Sequence, residues 1–447
     1  MKKFLAMILA LVMALSLVAC SGAKKTEEPK TETKTETTET KTEAKTGSVY
    51  WLNFKPESKD VLPEIAKLYT EKTGVEVKVV TAASGEYNTT LTAEMDKEEA
   101  PTIFVVGNAA AAKDWSDYCL DLKDTPIYNE LNTDAYNIYD ENGKLCSIGY
   151  CYECYGIIVN TALVEKAGFA ADYIKDFATL KEVAETITAN KDTLGFSAFA
   201  SAGMDPSSAW RFTGHMINME YYYESVDDPA AWEKCPAEIK GTYMDNFRNL
   251  YDLMVTNSTV DRTALAAGGL DAQAEFAEGK AAFYPQGNWE ASGLEGKGMD
   301  MSKLAMIPYY GGVAGEEKAG LNCGTENCWA INAKASEADQ KATMDFLVWL
   351  VTDPEASAMA VGTFGVMPYK QAAASTNPFL ADANEYANAG HYTMPWVTNV
   401  QPNVDAYRGA AVSALNEYNA DPTDANWEKV EAAFVGGWAV QYKAVNG

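Results

Sequence analysis

The first 47 residues limit what the rest of the chain can fold into, because an apolar run is followed by a purely polar tract. Lys2 and Lys3 precede an apolar run that extends from Phe4 to Val18. This run is too short to cross a bilayer as a helix, which takes about 20 residues, and its flanks are those of a secretory signal peptide. The residues that fold are therefore those from about residue 48 onward, and they fold outside the cytoplasm.

The end of the apolar run carries a second signal. It reads Leu17-Val18-Ala19-Cys20 and is followed by Ser21-Gly22. This ending resembles the bacterial lipobox, which implies a signal peptide over residues 1–19, cleavage before Cys20 and a diacylglycerol group on its sulfur. Because two acyl chains hold a protein stably on a membrane, we expect a lipid anchor on the extracellular face of the cytoplasmic membrane. An ordinary signal peptide followed by an incidental cysteine is the alternative.

The polar tract that follows consists almost entirely of Lys, Thr, Glu and Ala. Such a composition cannot bury enough apolar surface to offset the entropy of ordering. We therefore interpret residues 20–47 as a lipidated cysteine followed by a disordered tether. The remaining body, about 400 residues long, is expected to form two or three domains, and its sequence has no further apolar stretch of membrane-spanning length.

The charge of the chain excludes one class of partner. Asp and Glu number 63 against 36 Lys and Arg, which gives a net charge of −27. Nucleic-acid binding requires clustered basic residues, so we expect no nucleic-acid partner. Nothing in the composition calls for a second copy of the chain, and a monomer is predicted.

The cysteines and histidines indicate neither a metal site nor a cofactor. Besides Cys20 the chain has seven further cysteines and only two histidines, His215 and His391. An odd number of cysteines cannot all pair within one chain. Cys151 and Cys154 lie three apart in a predicted strand and so point to opposite faces. We predict reduced cysteines that serve in packing, no bound metal and no cofactor.

The opening of the body predicts a parallel sheet covered by helices. Ser48–Phe54 is a predicted strand, Asp60 begins a helix with apolar residues at helical spacing, Gly74 ends it, and Val75–Val80 is a second predicted strand. A strand, helix and strand in succession are typical of an α/β fold. Further along, the Asn-Gly turn within Asp140–Gly143 predicts a hairpin.

Additional strands and helices are predicted from short apolar runs and from 3–4 spacing. Ser336 begins one helix, and a final helix carries Trp427, Val430, Phe434 and Trp438 at helical spacing. The remaining predicted strands cover 102–106, 155–160, 281–284, 305–308 and 328–332.

Several weak motifs occur in a fixed order along the body. They are Pro101-Thr102-Ile103-Phe104, Gly143–Tyr150 with Ile158-Val159-Asn160, Phe276–Phe283 with Gly287-Asn288-Trp289, and Trp329–Asn332 with Phe346–Leu350. In this order they resemble the extracellular solute-binding proteins of carbohydrate ABC importers, the maltose-binding-protein type. The resemblance covers nearly all of residues 48–447.

The resemblance implies a fold and a division of the chain. The fold is an α/β, two-lobe periplasmic-binding-protein-like fold of type II, with a ligand cleft between lobes joined by hinge strands. The implied crossings lie near 153–156, 285–290 and 333–336. Lobe one would then contain 48–153 and 291–333, and lobe two 154–290 and 334–447.

A sugar ring has apolar faces and an equator of hydroxyls, so its site needs aromatic platforms and planar polar groups. The resemblance favours Trp289, which follows a strand in the family's Gly-x-Trp position, with hinge packing as the alternative. It also favours Glu57 and Trp396, whereas strand alternation places Glu153 and Tyr155 toward the cleft if Tyr150 faces the core. The other candidate ligand contacts are Glu326, Asn327, Asn108 and Trp210.

These features predict a binding subunit that captures an oligosaccharide by lobe closure and delivers it to membrane permeases. We expect no catalysis, because the sequence has no Gly-x-Ser-x-Gly elbow, no His-Glu-x-x-His and no glycine-rich phosphate loop. A surface glycoside hydrolase remains the rival class, since it would also need paired carboxylates and aromatic residues. A binding protein for a polyamine or a peptide is the third alternative.

Overall fold

The structure is a computed structural model that describes residues 47–232 and 234–447. The predicted signal peptide, Cys20 and nearly the whole tether lie outside the described residues. Their assignments stay predictions.

Strands and helices alternate along most of the described chain. The strands are β1 Val49–Asn53, β2 Val77–Thr81, β3 Ile103–Val105, β4 Ile138–Tyr139, β5 Leu145–Gly149, β6 Glu153–Asn160, β7 Ser197–Phe199, β8 Ala281–Gly287, β9 Leu304–Ile307, β10 Ala319–Gly324, β11 Cys328–Ile331 and β12 Tyr392–Pro395. The α-helices are α1 Val61–Thr73, α2 Tyr87–Met95, α3 Ala109–Trp115, α4 Pro126–Asn129, α5 Thr161–Lys166, α6 Phe177–Ala189, α7 Lys191–Leu194, α8 Asn218–Asp227, α9 Met244–Thr256, α10 Ala272–Ala277, α11 Ala291–Gly296, α12 Glu337–Thr352, α13 Pro354–Phe364, α14 Pro378–Asn388, α15 Val404–Ala420, α16 Asp424–Glu431 and α17 Gly437–Asn446.

The first sheet has the strand order β2-β1-β3-β11-β5-β4. β1 pairs in parallel with both β2 and β3, and β11 is antiparallel to its neighbours. The predicted strand-helix-strand opening is confirmed, and Gly74 ends α1 with a left-handed φ of 76° that favours glycine. The predicted hairpin after Asp140 is confirmed as β4 and β5.

The second sheet has the order β12-β10-β6-β8-β7, with β9 also paired to β6. β6 is its central strand. One edge of β6 pairs with β8, and the other edge is shared by β10 near its start and β9 near its end. Because buried backbone groups need hydrogen-bond partners, β9 and β10 complete this sheet.

Each sheet carries its own hydrophobic core, which defines two lobes. The first lobe is the first sheet with α1–α4, α12 and α13, whose apolar faces pack around Trp51 and Trp329. The second lobe is the second sheet with α5–α11 and α14–α17. Within the residues that the structure describes, no helix is both long and apolar enough to cross a membrane.

The predicted lobe boundaries differ from the structure at two of the three crossings. Residues 291–324 belong to the second lobe, because β9 and β10 fill the free edge of β6. Residues 337–364 belong to the first lobe, because α12 and α13 cover its sheet. The described chain therefore crosses between β5 and β6, between β10 and β11, and between α13 and α14.

The three crossings run side by side and form the hinge. Gly149 pairs with Cys328 and Glu153 pairs with Gly324, so the first two crossings are antiparallel neighbours. Between them the Tyr150 amide donates to the Asn327 carbonyl at 2.9 Å. The third crossing joins them through the Tyr152 amide, which donates to the Val366 carbonyl at 2.7 Å.

Candidate functional site

A largely buried group of charged and amide side chains lies at the hinge, and we call Lys55, Glu57, Glu153 and Asn327 the charged hinge cluster. The Lys55 ammonium lies 2.5 Å from a Glu153 oxygen and 2.7 Å from a Glu57 oxygen. The other Glu153 oxygen accepts a hydrogen bond from the Asn327 amide at 2.6 Å. Lys55 follows β1 in the first lobe and Glu153 begins β6 in the second, so the cluster ties the lobes together.

Burial and charge act in opposite directions in this cluster. Burial disfavours the charged form of Lys55, but the carboxylates of Glu153 and Glu57 outweigh it and raise the pKa of Lys55. Burial raises the pKa of Glu153, whereas the Lys55 ammonium lowers it. Because the ammonium lies between two carboxylates, we take the Lys55–Glu153 pair as ionised.

Trp289 lies just after β8, in a short 3₁₀ turn of residues Asn288–Glu290. Its indole folds back over Gly287, where a Cβ atom would lie 2.2 Å from the ring. Only glycine at position 287 therefore leaves room for the indole in this position. The opposite lobe approaches the same ring, because the Lys55 ammonium lies 5.8 Å from its centre, within the range of a cation–π contact.

Further aromatic rings from the second lobe surround Trp289, and we call Tyr155, Trp210, His215, Trp289 and Trp396 the aromatic wall. Tyr155 and His215 stack with centroids 3.8 Å apart and planes 4° apart. His215 lies 4.7 Å from Trp210 and 5.5 Å from Trp289, and Trp396 lies 5.3 Å from Tyr155. Four separate chain segments therefore contribute to one continuous aromatic surface.

Several polar atoms of the aromatic wall have no partner in the described part of the protein. They are the Tyr155 hydroxyl, the His215 Nδ1 and the Trp396 Nε1, all inaccessible to solvent. Burial, together with the positive charges of Arg408 and Arg211, lowers the pKa of His215 well below its usual value, so the imidazole is neutral near pH 7. Buried polar atoms normally find a hydrogen-bond partner, and this surface therefore has capacity to bind one.

The structure brings together most of the predicted site residues. Glu57, Glu153, Tyr155, Trp210, Trp289 and Trp396 lie around the hinge and the aromatic wall. Glu326 is partly buried on the second crossing and packs its backbone against Gly107. Their contact with a ligand stays a prediction.

Two predicted residues have their polar atoms engaged within the protein. Asn108 caps α3, with its side-chain oxygen accepting from the Ala111 amide at 2.8 Å. Asn327 is buried, donates to Glu153 and accepts from the Tyr150 hydroxyl at 3.3 Å. In this conformation their side chains hold a helix end and the hinge.

The lobes also contact each other away from the hinge. The Asn88 amide donates to the Asp405 carboxylate at 3.1 Å, and the Lys113 ammonium donates to the Val445 carbonyl at 2.8 Å. The backbone at Gly85 leaves no room for a Cβ beside the Pro206 carbonyl, 2.6 Å away. Each of these contacts joins the first lobe to the second, so the structure describes a closed cleft.

Sequence reasoning missed Lys55 and the position of His215 among the aromatic rings. Lys55 is flanked by the predicted Glu57, but the partner that explains its burial, Glu153, is 98 residues away. His215 is one of two histidines in the chain, and its neighbour in space is Tyr155. Across the described ranges no cluster of His, Cys, Asp and Glu has the arrangement of a metal site, and the seven cysteines from Cys119 to Cys328 are free.

The comparisons with known proteins agree with this geometry. Residues 64–393 match the model of a family described as bacterial extracellular solute-binding protein. A comparison with curated proteins gives no significant match.

Several solved structures share the fold. One is the solute-binding protein RafE in complex with raffinose, with a TM-score of 0.68 and 18% identity over 88% of this chain and 99% of that one. Another is a chitin oligosaccharide binding protein, with a TM-score of 0.67 and 16% identity over 90% and 100%. A third is a sugar transporter protein from Bacillus licheniformis in complex with stachyose, with a TM-score of 0.64 and 15% identity over 88% and 99%.

The family match covers most of the chain, and the two lobes joined by a crossed hinge are those of type II solute-binding proteins. This protein is therefore a member of the bacterial extracellular solute-binding family.

Proposed function

We propose that this protein is the substrate-binding subunit of an ABC importer and captures an oligosaccharide between its lobes. The aromatic wall is the observation that carries the proposal. Rings of Trp289, Trp210 and Trp396 offer flat apolar surfaces on which the C–H faces of a sugar can stack. Support also comes from structural neighbours that bind raffinose, stachyose and chitin oligosaccharides.

Polar groups at the hinge are suited to the hydroxyls of the same ligand. Glu57 keeps a side chain that is 25% exposed, and Glu326 is partly buried on the neighbouring crossing. A carboxylate accepts hydrogen bonds in a fixed plane and so can orient a pair of sugar hydroxyls. Ligand would stabilise the closed arrangement because it contacts both lobes at once.

The rival proposal of a glycoside hydrolase is less favoured by the charged hinge cluster. Such an enzyme needs two carboxyl groups on either side of the scissile bond. Glu57 and Glu153 both lie within 2.7 Å of the Lys55 ammonium, which holds them as ion-pair partners. The same pairing makes Glu57 and Glu153 less available to a polyamine, which would need free carboxylates. Incubation with oligosaccharides should produce no new reducing ends.

We also propose that a lipid anchors the protein to the membrane, where it meets its permease partners. The Leu17-Val18-Ala19-Cys20 motif supports a lipid anchor at Cys20, and the importer would supply the permease subunits. Replacing Cys20 by Ser should release the protein from the membrane and leave ligand affinity in vitro unchanged. Retention and lipid labelling in that variant would refute the anchor.

The central test is isothermal titration calorimetry of the body, residues 48–447, against a panel of di- to tetrasaccharides. We expect saturable binding of at least one, together with a smaller radius of gyration by X-ray scattering when the ligand is present. A panel without any binding would contradict the oligosaccharide proposal. Binding with an unchanged radius would mean that the cleft is already closed in solution.

A further inference from the structure

The four arginines of the chain fall into two pairs with different surroundings. Arg248 and Arg262 form ordinary ion pairs on the second lobe, with Asp424 at 2.8 Å and Asp252 at 3.0 Å respectively. For Arg211 and Arg408, no carboxylate oxygen among the described residues lies within 4.0 Å of the guanidinium group. The chain has 63 acidic residues, so scarcity of acids does not explain the difference.

Arg211 is held beside the cleft without an ion-pair partner among the described residues. It is 7% exposed, its Nη1 donates to the Ser208 carbonyl at 3.4 Å, and its Nε has no hydrogen-bond partner among the described residues. Its guanidinium lies over the Trp210 ring at 4.4 Å, and Trp210 in turn faces Trp289 at 6.3 Å. Burying a guanidinium without an ion-pair partner is unfavourable, and cation–π stacking offsets part of this cost.

Arg408 reaches the same place from α15. Its Nε donates to the Gln401 side chain at 2.8 Å. The rest of the guanidinium lies over Gly214, where a Cβ would be only 3.0 to 3.1 Å from it. One turn earlier on α15, Asp405 receives the hydrogen bond from Asn88 of the first lobe, so this part of the helix borders the cleft.

The nearby acids are engaged elsewhere or remain outside ion-pair distance. Glu290 accepts from Gln273 at 2.7 Å and from Gln286 at 3.2 Å, and the Arg211 charge acts on its carboxyl group from beyond ion-pair distance. Glu57 and Glu153 share Lys55. Glu326, on the hinge, forms no ion pair in the described structure either. The charges of both guanidinium groups help to lower the pKa of His215, and the neutral imidazole adds no charge of its own.

We propose that Arg211 and Arg408 form an anion subsite in the cleft, and that the cargo is an acidic oligosaccharide bearing a carboxylate, as in a uronic acid. The proposal rests on the function proposed above, since it assigns the class of sugar that the same cleft takes. The guanidinium fork donates two parallel hydrogen bonds that match the geometry of a carboxylate. The adjacent ring of Trp210 then contacts the sugar that bears this group.

The test uses matched trisaccharides in pairs that differ only at C6. Each neutral sugar (galactose, glucose or mannose in 1,4 linkage) is paired with the form in which C6 is oxidised to a carboxylate. A C6-sulfated trisaccharide distinguishes a carboxylate from another anion. We expect at least one carboxylated trisaccharide to bind about 10- to 100-fold more tightly than its neutral partner, the range for hydrogen bonds to a charged group.

Single variants test which residues produce the preference for the carboxylated trisaccharide. Arg408→Gln and Arg211→Gln should each weaken binding of the carboxylated trisaccharide about 10-fold or more and leave the neutral one nearly unchanged. Arg248→Gln, in which the arginine is ion-paired and away from the cleft, should change neither. If Arg211→Gln does not fold, the test uses the variant of the half-buried Arg408 and the affinity of the wild type at increasing salt concentration. Salt should weaken binding of the acidic trisaccharide only.

The outcomes separate the two proposals. Equal or tighter binding of the neutral partners, or a preference for the carboxylate that survives in the Arg408 variant, would overturn the anion subsite and leave the oligosaccharide function standing. Tighter binding of the sulfated than of the carboxylated form would overturn the assignment to uronic acids. If no neutral, carboxylated or sulfated trisaccharide binds, the proposed function itself fails, and this inference fails with it.

Discussion

The charged hinge cluster and the aromatic wall beside it differ in how far their polar groups are paired. The charged hinge cluster is saturated: Lys55 contacts Glu57 and Glu153, and Asn327 contacts Glu153 and Tyr150. The aromatic wall is unsaturated, with buried polar atoms of Tyr155, His215 and Trp396 that have no partner within the described chain. Both are rich in groups that sequence reasoning assigns to a ligand.

The difference between them indicates a division of roles. A buried ion pair whose members are already matched contributes to holding two segments in register, and disrupting it leaves an uncompensated charge. An aromatic surface with free polar atoms gains most when a ligand covers it. The hinge cluster is therefore expected to affect stability first, and the aromatic wall is expected to affect affinity first. The following experiments test that division, from the largest expected effect to the smallest.

Removing the cation of the hinge cluster should have the largest effect. Lys55→Met leaves the buried Glu153 without its ammonium partner, and we expect a loss of about 3–5 kcal/mol in the free energy of unfolding near pH 7. Urea denaturation measures it. Adding Glu153→Gln should recover part of the loss. Lys341→Met removes the exposed Lys341–Asp345 pair and should change stability little.

This variant also has a pH signature. In Lys55→Met, burial raises the pKa of Glu153 above that of the unfolded chain without a neighbouring ammonium to lower it. The folded variant then binds a proton that the unfolded chain binds only at lower pH, so its stability falls as pH rises through the folded pKa. Its deficit relative to the wild type should shrink as pH falls from about 7 to about 5. A constant deficit would contradict the role of Glu153.

Truncating the central ring of the aromatic wall should affect binding. Trp289→Ala is expected to weaken binding of the oligosaccharide found by calorimetry by about 2–4 kcal/mol, which is roughly 30- to 1,000-fold in Kd. Trp427 is buried among Phe247 and Tyr418 in the second lobe, so Trp427→Ala should lower Tm and leave Kd unchanged. Normal binding by the Trp289 variant with reduced stability would make this tryptophan a hinge-packing residue.

A smaller change should come from moving the same ring without removing it. In Gly287→Ala the new Cβ meets the Trp289 indole at 2.2 Å, so the ring must shift. We expect about a tenfold increase in Kd, equivalent to about 1.4 kcal/mol. The control is Gly362→Ala in α13, where a Cβ meets nothing within 4 Å and should stabilise the helix slightly. Unchanged affinity in Gly287→Ala would indicate that the position of Trp289 is not critical.

The smallest effect concerns the stacked imidazole. Because the pKa of His215 is lowered in the folded protein, the unfolded chain binds a proton there that the folded chain does not. Stability should therefore fall as pH drops below about 6.5, by at most about 1.4 kcal/mol per pH unit. His215→Gln should flatten this dependence in thermal melts between pH 5 and 7. A slope that persists in the variant belongs to another group.

The position of candidate residues could be predicted where local pattern decides it. The spacing of apolar residues predicted β1, α1 and β2, and the Asn-Gly turn predicted the hairpin of β4 and β5. Trp289 was placed correctly at the end of a strand. In each case the deciding residues are close in sequence, so short-range backbone geometry is sufficient.

Partners distant in sequence could not be predicted in the same way. The amphipathic face of α12 predicts that the helix packs on some sheet, but either sheet would bury it. The Lys55–Glu153 contact joins residues 98 apart, and Arg408 reaches Gly214 from a different helix. Contacts of this kind depend on how the whole chain packs and not on the local sequence.

The sequence by itself determined the class of fold, the course of the strands and the supply of aromatic and acidic side chains, because these follow from composition and periodicity. Only the tertiary structure decided which sheet each segment joins and which acidic residues form ion pairs with Lys55. It also decided which arginines have no ion-pair partner among the described residues. The physical reason is that burial and ion pairing are properties of neighbours in space. Charges that look equivalent along the chain therefore separate into those that pair at the hinge and those that have no ion-pair partner among the described residues.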